Sequence, residues 1–185
     1  MLNDTTTIFR EELSAREQIL WSSQPIQGLM LRSSDVFMIP FSLLWGGFAI
    51  FWESMVVYVG APFFFMLWGI PFILFGLYMI VGRFFVDAKQ REKTYYALTS
   101  ERVIILSGLF RKNIRSLSLK TLSEINISVK SNGSGTITFG ASHPMAWWHS
   151  GFVWPGMGRY TAPAFEMIDN AKQVYELLWK AQREL

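Results

Sequence analysis

The sequence predicts a two-helix membrane hairpin followed by a β-rich domain that ends in an α-helix. Three observations predict this fold class: two successive uncharged apolar runs, period-two alternation of apolar residues after Thr94, and an amphipathic repeat at the C-terminal end. Helices of about 20 apolar residues are long enough to cross the ~30 Å hydrocarbon layer of a bilayer. The expected organisation is an N-terminal segment at 1–35, a hairpin at 36–82 and a β-rich domain at 83–185.

The composition of the chain supports membrane segments and excludes several kinds of site. Charged residues make up 17% of the sequence, against roughly 25% in soluble domains, and they are missing mainly between residues 36 and 82. The chain has no cysteine, which excludes disulfides, thiolate metal sites and cysteine nucleophiles. The net charge of +3 does not require nucleic acid, because the basic residues lie beside the apolar runs, where topology explains them.

The two predicted spans are residues 36–52 and 63–81. Neither contains a charged residue, and the connector between them has no Lys or Arg. Basic residues lie on the other side of both spans, namely Arg32, Arg83, Lys89, Arg91 and Lys93. Because Lys and Arg in short loops stay in the cytoplasm, we expect a multi-pass protein with both termini cytoplasmic.

Small residues on the first span predict a helix-packing face. Ser42, Gly46 and Gly47 let another helix approach closely. That helix is either the second span of the same chain or a span of another copy. The absence of ionisable residues inside the spans argues against a proton or ion pathway through them.

The domain after the second span is predicted to consist of short antiparallel strands. Residues 95–98 and 102–106 read as two strands joined by a turn, and residues 114–119 as a third. Ile125, Ile127 and Val129 alternate with polar residues, as in a half-buried strand. The turn at 131–135 contains Asn-Gly, which favours a tight hairpin, so the strand that follows should return antiparallel.

The C-terminal helix is predicted from an apolar repeat at helical spacing. Asp169 is a candidate N-cap, and the apolar positions that follow are Ala171, Val174, Tyr175, Leu178 and Ala181. A helix after several strands is expected to pack on the sheet. The N-terminal stretch 8–21 is either an amphipathic helix on the membrane surface or an added element of the β-rich domain.

Several segments resemble the bacterial pleckstrin-homology-like (PH-like) membrane proteins. These segments are Glu17 to Trp21 with Pro25, Tyr96 to Ile104, Gly108-Leu109, Pro163 to Ile168 and Val174-Tyr175. The resemblance implies a seven-stranded, strongly bent β-barrel or sandwich capped by the C-terminal helix, attached to the bacterial inner membrane. It implies little about activity, because that fold serves lipid, peptide and protein binding alike.

Basic residues after Gly108-Leu109 are candidates for a lipid-headgroup site. Arg111, Lys112 and Arg115 occupy the connection that carries phosphate-binding basic residues in lipid-binding PH domains, which they resemble in part. The alternative is a solvated, positively charged loop near an anionic leaflet, where each charge contributes about 1 kcal/mol of attraction.

An aromatic insertion at 141–162 is longer than a simple hairpin would need. Trp147, Trp148, Phe152 and Trp154 stand there among Gly, Pro and Ser residues. These rings plug an open end of the barrel, dock the domain at the headgroup level of the membrane, or form a patch for a partner or a second copy.

No constellation for catalysis or metal binding is apparent in the sequence. The only histidines are His143 and His149, both in the insertion, and two ligands are too few for a structural zinc site. We therefore expect no enzyme activity, cofactor, small-molecule substrate or nucleic-acid partner. The expected function is a protein-interaction or self-assembly module at the membrane, with an anionic-lipid sensor or a subunit of a transporter or channel as alternatives.

Overall fold

The structure is a computed structural model, and it describes residues 7–32, 34–109, 112–140 and 162–185. The chain divides into two compact units. A helical unit contains residues 29–32 and 34–87, and a β-rich unit contains residues 7–28, 88–109, 112–140 and 162–185.

The helical unit is built around two long apolar helices. Helix α1 spans Asp35–Tyr58 and helix α2 spans Phe63–Leu77; a π-helical segment, Tyr78–Gly82, follows α2 without a break, and α3 spans Arg83–Glu92. Both continuous helical stretches, Asp35–Tyr58 and Phe63–Glu92, are long and apolar enough to cross a membrane. Helix α1 extends beyond the predicted 36–52, because the charge of Glu53 does not end the helix.

Most of the apolar surface of these helices is exposed within the structure. Only 22% of the most apolar stretch of the first helix and 17% of that of the second are buried. Leu44 and Phe63, for example, are 73% and 76% exposed. Apolar surface of this extent is unfavourable in water, and it distinguishes these helices from the core helices of a soluble domain.

Seven strands form two antiparallel sheets in the described part of the β-rich unit. The first sheet has the order β1-β2-β3-β4, and the second has the order β5-β6-β7. The strand bounds are β1 Ile19–Ser23, β2 Tyr95–Thr99, β3 Arg102–Ser107, β4 Asn113–Ser118, β5 Ile125–Val129, β6 Gly135–Phe139 and β7 Ala164–Ile168.

Strands β1 and β2 are neighbours in the sheet although the whole hairpin separates them in sequence. Ser22 pairs with Ala97, and Ser23 pairs with Tyr96. The pairing makes the segment before the first apolar helix a part of the β-rich unit rather than a separate leader.

The two central strands of the first sheet, β2 and β3, are buried on both faces. Tyr96, Leu98 and Val103 face the main hydrophobic cluster, which also contains Phe139 and Phe165. On the opposite face, a second cluster forms around Phe9, Ala97, Ile104 and Leu106, and Phe9 is completely buried. This second cover explains why β2 and β3 are nearly continuous apolar runs rather than alternating ones.

The C-terminal helix α4, Ala171–Arg183, buries its apolar stripe in the main cluster through Ala171, Val174, Leu178 and Ala181. Near its end, Gln182 Nε2 donates to the carbonyls of Leu119 and Leu122 at 3.0 and 2.9 Å. The predicted N-cap, Asp169, is wrong by one position. Asn170 occupies the N-cap with a left-handed φ of 50° and makes no side-chain capping bond.

The strands and turns predicted from local pattern are confirmed. Strands β2 and β3 pair through the turn at Ser100, and β5 pairs with β6 so that Ile127 lies opposite Ile137. Gly133 has a φ of +82° in the second turn, as Asn-Gly predicts. Strand β7 was not predicted as a strand, and it pairs with β6 through Phe165 opposite Ile137.

Candidate functional site

An ion pair between the buried carboxylate of Glu17 and the partly exposed guanidinium of Arg102 ties the N-terminal segment to the β2–β3 hairpin. Arg102 Nε and Nη2 donate to the two carboxylate oxygens of Glu17 at 2.8 and 2.9 Å. The Thr99 hydroxyl donates to the same carboxylate at 2.7 Å, and so does the Ser14 backbone N–H at 3.0 Å. Arg102 also donates to the Glu12 carbonyl at 2.7 Å. All the acceptor positions of Glu17 are thereby engaged in holding the chain together.

The environment of Glu17 favours its charged form strongly. Burial by itself raises the pKa of the carboxyl, but the hydrogen bonds from Arg102, Ser14 and Thr99 outweigh it and lower the pKa from 4.5 to about 2. The hydrogen bond to Glu17 likewise raises the pKa of Arg102. A carboxylate this acidic and this fully bonded serves as a structural tie and is unsuited to act as a base near neutral pH.

A second set of contacts fixes the segment that follows strand β1, residues 24–28. Arg91 is only 4% exposed, and it donates to the carbonyls of Ile26 and Gly28 at 2.5 and 2.7 Å. Gln24 and Gln27 donate in return to the carbonyls of Glu92 and Arg91 at 3.0 and 3.3 Å. The sequence analysis explains Arg91 as a basic residue that flanks a membrane span. In the structure, Arg91 also joins the start of the segment 88–109 to the end of the segment 7–28 within the β-rich unit.

Four charged side chains cluster at one end of the helical unit. Arg83 Nη1 lies 2.6 Å from Asp35 Oδ1, with the side chains 7% and 6% exposed. Arg32 Nη2 lies 2.8 Å from Asp87 Oδ1, and the Arg32 backbone N–H donates to Asp35 Oδ2 at 2.6 Å. The two ion pairs join the chain before α1 to the start of α3. Sequence reasoning placed Arg32 and Arg83 as flanking charges but gave no signal for Asp35 and Asp87 as their partners.

The helix-packing candidates divide into two groups. A Cβ added at Gly46 would lie 2.7 Å from Ile80 Cδ1, and one added at Gly76 would lie 3.0 Å from the Gly46 Cα. Gly46 and Gly76 are therefore the point of close approach between the helices, and nearby Ser42 is only 1% exposed. Gly47 faces away, with no described atom within 4 Å of an added Cβ.

Glu53 packs against a glycine of the second helix. A Cβ at Gly69 would lie 2.6 Å from Glu53 Cδ, so the carboxyl group occupies the space that the missing side chain leaves. Glu53 Oε2 is buried and has no hydrogen-bond partner among the described residues. Sequence reasoning placed Glu53 at the outer edge of the span, whereas α1 continues to Tyr58.

Two of the three lipid-headgroup candidates, Lys112 and Arg115, lie in the described residues. Lys112 Nζ lies 2.9 Å from Glu12 Oε1, in an exposed ion pair. Arg115 lies within β4, opposite Ile105. Arg111 lies outside the described residues, as do the docking candidates Trp147, Trp148, Phe152 and Trp154 and the two histidines.

Within residues 7–32, 34–109, 112–140 and 162–185, no three His, Cys, Asp or Glu side chains are grouped closely enough to hold a metal ion. The features that stand out in these residues are instead two networks of ion pairs, an unusually exposed apolar hairpin and a close helix crossing. In comparisons with protein-family models, with curated proteins and with solved structures, nothing matches this chain.

Proposed function

We propose that this chain is a non-enzymatic inner-membrane protein whose β-rich unit is a PH-like module for protein interaction or self-assembly. The observation that carries the proposal is the insertion of two exposed apolar helices between β1 and β2, which pair in one sheet. A domain interrupted in this way is attached to its anchor through two covalent connections rather than one.

The exposure of the helices supports membrane insertion. A soluble protein would bury most of the side chains of two such helices, whereas here four-fifths of each apolar stretch is uncovered. The number of spans also restricts the topology. Since β1 precedes both helices and β2 follows both, their pairing requires the two strands to be on the same side of the membrane, as two crossings provide.

The distribution of charge supports a cytoplasmic location for that side. Arg32 and Arg83 lie at the ends of the helices nearest the β-rich unit in sequence. The connector between α1 and α2, residues 59–62, contains no charged residue. Positively charged flanks remain in the cytoplasm, and so both termini are proposed to be cytoplasmic.

The strand order supports the PH-like assignment. Four consecutive strands form one antiparallel sheet, the next three form another, and a C-terminal helix packs on the cluster between them. This arrangement agrees with the seven-stranded, helix-capped fold that the sequence resemblance implies. The fold by itself does not select a ligand.

Interaction with a protein or with a second copy has more support than the two alternatives. These are catalysis, and the sensing of lipid headgroups by the β3–β4 connection. Glu17, the carboxylate with a strongly lowered pKa, is fully engaged as a tie. Lys112, one of the three lipid-headgroup candidates, is partly neutralised by Glu12. The aromatic insertion keeps its proposed role as the docking surface, because Trp and Met residues are enriched in interface cores.

The mass of the detergent-purified full-length protein tests this proposal. We expect light scattering, with the detergent contribution subtracted, to give either a discrete multiple of 21.3 kDa or a defined complex with a co-purified protein. Changing Trp147 and Trp148 to Ala should reduce that mass. Trp179→Ala is the matched control, because Trp179 is 39% exposed on α4 and lies outside the insertion. A wild-type monomer without a co-purified protein would contradict the interaction role.

A further inference from the structure

Strand β5 comes first in the order β5-β6-β7, so one side of its backbone faces β6 and the other faces the edge of the sheet. The Gly140 N–H donates to the Glu124 carbonyl, and the Lys130 N–H donates to the Ser134 carbonyl, both at 2.8 Å. Bonded and non-bonded positions alternate along an antiparallel pair, so the even-numbered residues of β5 bond to β6. The odd-numbered residues, whose backbone groups point toward the edge, are Ile125, Ile127 and Val129.

This edge differs from the other three edges of the described sheets. Natural sheets discourage pairing with another chain through bulges and charged residues in their edge strands. Strand β1 has a register shift between Ile19 and Trp21, β4 contains Arg115, and β7 contains Glu166 beside a register shift of its own. Strand β5 pairs with β6 in unbroken register and contains neither a charged residue nor proline from Ile125 to Val129.

The edge is also accessible. Asn126, Ser128 and Val129 are exposed, and Val129 is 48% exposed although it is apolar. The residues on either side of the strand, Glu124 and Lys130, are exposed as well. A strand that presents outward-facing backbone groups and exposed side chains together is suited to pairing with another strand.

A second copy of β5 fits this edge when the two strands run antiparallel about a twofold axis at Ile127. Ile125 of each copy then faces Val129 of the other, and each facing pair of odd-numbered residues exchanges two hydrogen bonds. Ile125 and Ile127 already pack partly on the main hydrophobic cluster, so the exposed Val129 gains an apolar neighbour. On the other face, Asn126 lies opposite Ser128, and both side chains are polar and uncharged.

The charges that flank β5 select this register. Glu124 and Lys130 lie equally far from Ile127 in the sequence, so the axis places Glu124 of each copy opposite Lys130 of the other. Opposite charges that face each other across two strands are stabilising. Because only the odd-numbered residues present backbone groups to the edge, the next possible registers are shifted by two residues, and these shifts separate the two charges. Charge complementarity therefore favours an identical strand as the occupant.

We propose that β5 pairs with β5 of a second copy of this chain. The two second sheets then form one sheet of six strands, because each copy contributes three. The contact uses the same surface on both copies, so it closes at a dimer. The inference rests on the self-assembly form of the proposed function, but it uses a surface other than the aromatic insertion.

The test measures the dissociation constant of the full-length protein in detergent, by light scattering over a range of protein concentrations. We expect the wild type to be a dimer of 21.3 kDa chains. Glu124→Lys places a second lysine opposite Lys130 at both ends of the contact and should weaken the dimer by about tenfold, as should Lys130→Glu. The variant with both changes should regain the association of the wild type. Glu176→Lys is the matched control, because Glu176 is exposed on α4 and the change in net charge is the same.

Disulfide formation tests the register, since the chain has no cysteine of its own. Asn126→Cys and Ser128→Cys chains that carry different tags are co-expressed, purified and oxidised. We expect a covalent dimer with both tags, because facing non-bonded positions have Cα atoms about 4.5 Å apart. Asn126→Cys alone is the control. Its two cysteines are diagonal neighbours about 7 to 8 Å apart and should form little covalent dimer.

A wild-type monomer would overturn the proposal, and so would a dimer that Glu124→Lys weakens no more than Glu176→Lys does. These results are distinguishable from a failure of the proposed function. A mass that falls when Trp147 and Trp148 are changed to Ala, but not with Glu124→Lys, would reject the β5 contact and keep the role of the aromatic insertion. The opposite pattern would keep the β5 contact and reject the docking role of the insertion. A monomer that co-purifies with another protein would reject the β5 contact alone.

Discussion

Glu17 and Arg102 bind each other across 85 residues of sequence, through two nearly equal hydrogen bonds of 2.8 and 2.9 Å. One partner precedes the apolar helices and the other follows them. Thr99, which begins the turn before Arg102, donates to the same carboxylate. The segment before the apolar helices and the β2–β3 hairpin after them are therefore in direct contact.

Replacing Glu17 by Gln should lower the free energy of unfolding by about 2 to 3 kcal/mol. The amide keeps the shape of the side chain but removes the charge that Arg102 faces in a buried position. Thermal unfolding in detergent measures the effect. Glu12→Gln is the matched control, because it breaks only the exposed pair with Lys112 and should cost less than about 1 kcal/mol. Equal losses in the two variants would contradict the structural role of Glu17.

The contribution of Glu17 should depend on pH in a defined window. Its pKa is lowered from 4.5 to about 2 in the folded protein, so the folded state binds the proton more weakly than the unfolded state does. The stabilisation is therefore complete above pH 4.5 and is lost as the pH falls toward 2, and its upper limit is about 3 kcal/mol. We expect the difference in unfolding temperature between wild type and Glu17→Gln to shrink from pH 6 to pH 3. A constant difference over that range would show that the charge of Glu17 is not what stabilises the contact.

Alanine substitutions at three glycines of the hairpin should change its stability by different amounts, most at Gly76, less at Gly46 and least at Gly47. Gly76→Ala places a Cβ 3.0 Å from the backbone of Gly46, so the helices must separate, at a cost of about 1 to 3 kcal/mol. Gly46→Ala meets the flexible end of Ile80 and should cost less. Gly47→Ala is the control, with open space around it, and should be neutral or slightly stabilising because Ala favours helix. Unfolding in micelles measures the order, and a loss at Gly47 as large as that at Gly76 would place the helix contact on the other face of α1.

The β-rich unit should fold alone only when strand β1 is included. Residues 94–185 lack β1, which pairs with β2 and places Trp21 5.3 Å from Phe165, measured between ring centres. We expect that fragment to aggregate. A chain in which about 6 Gly and Ser residues replace residues 29–87 should be soluble and folded, because Arg91 donates to the Gly28 carbonyl and so already holds the two ends close together.

Size-exclusion chromatography and circular dichroism compare the two proteins. A third protein, with the linker and with Ser22→Pro, is a control for strand pairing, since proline removes a backbone donor from β1. A folded monomer from residues 94–185 alone would contradict the need for β1.

Local sequence pattern predicted the parts of the fold that depend on neighbouring residues. The β5–β6 hairpin followed from the alternation that starts at Ile125 and from the Asn-Gly turn, because both signals lie within a few residues. The C-terminal helix followed from its apolar repeat. Its start was placed one residue early, at Asp169, because a left-handed Asn170 begins the helix through backbone conformation rather than through a capping side chain.

The parts that were missed depend on distant residues. Nothing near Ile19 indicates that β1 will pair with β2, because β2 lies more than 70 residues further along the chain. Strand β7 is short and carries Glu166 and Met167, so its pattern is weak, and Met167 even has a φ of 52°. For the same reason, the sequence predicted Arg32 and Arg83 as basic residues flanking the spans. It did not predict that Asp87 and Asp35 would bind them.

The interleaving of the sheet with the hairpin also sets an order of events during synthesis. Strand β1 leaves the ribosome first and has no partner until both apolar helices have been made, since β2 begins only at Tyr95. If the hairpin spans a membrane as proposed, a chain that inserts one helix but not the other leaves β1 and β2 on opposite faces of the bilayer, with unpaired strand edges and uncovered apolar side chains on each. In that topology the first sheet closes only after both helices have been inserted, because β1 and β2 pair with each other.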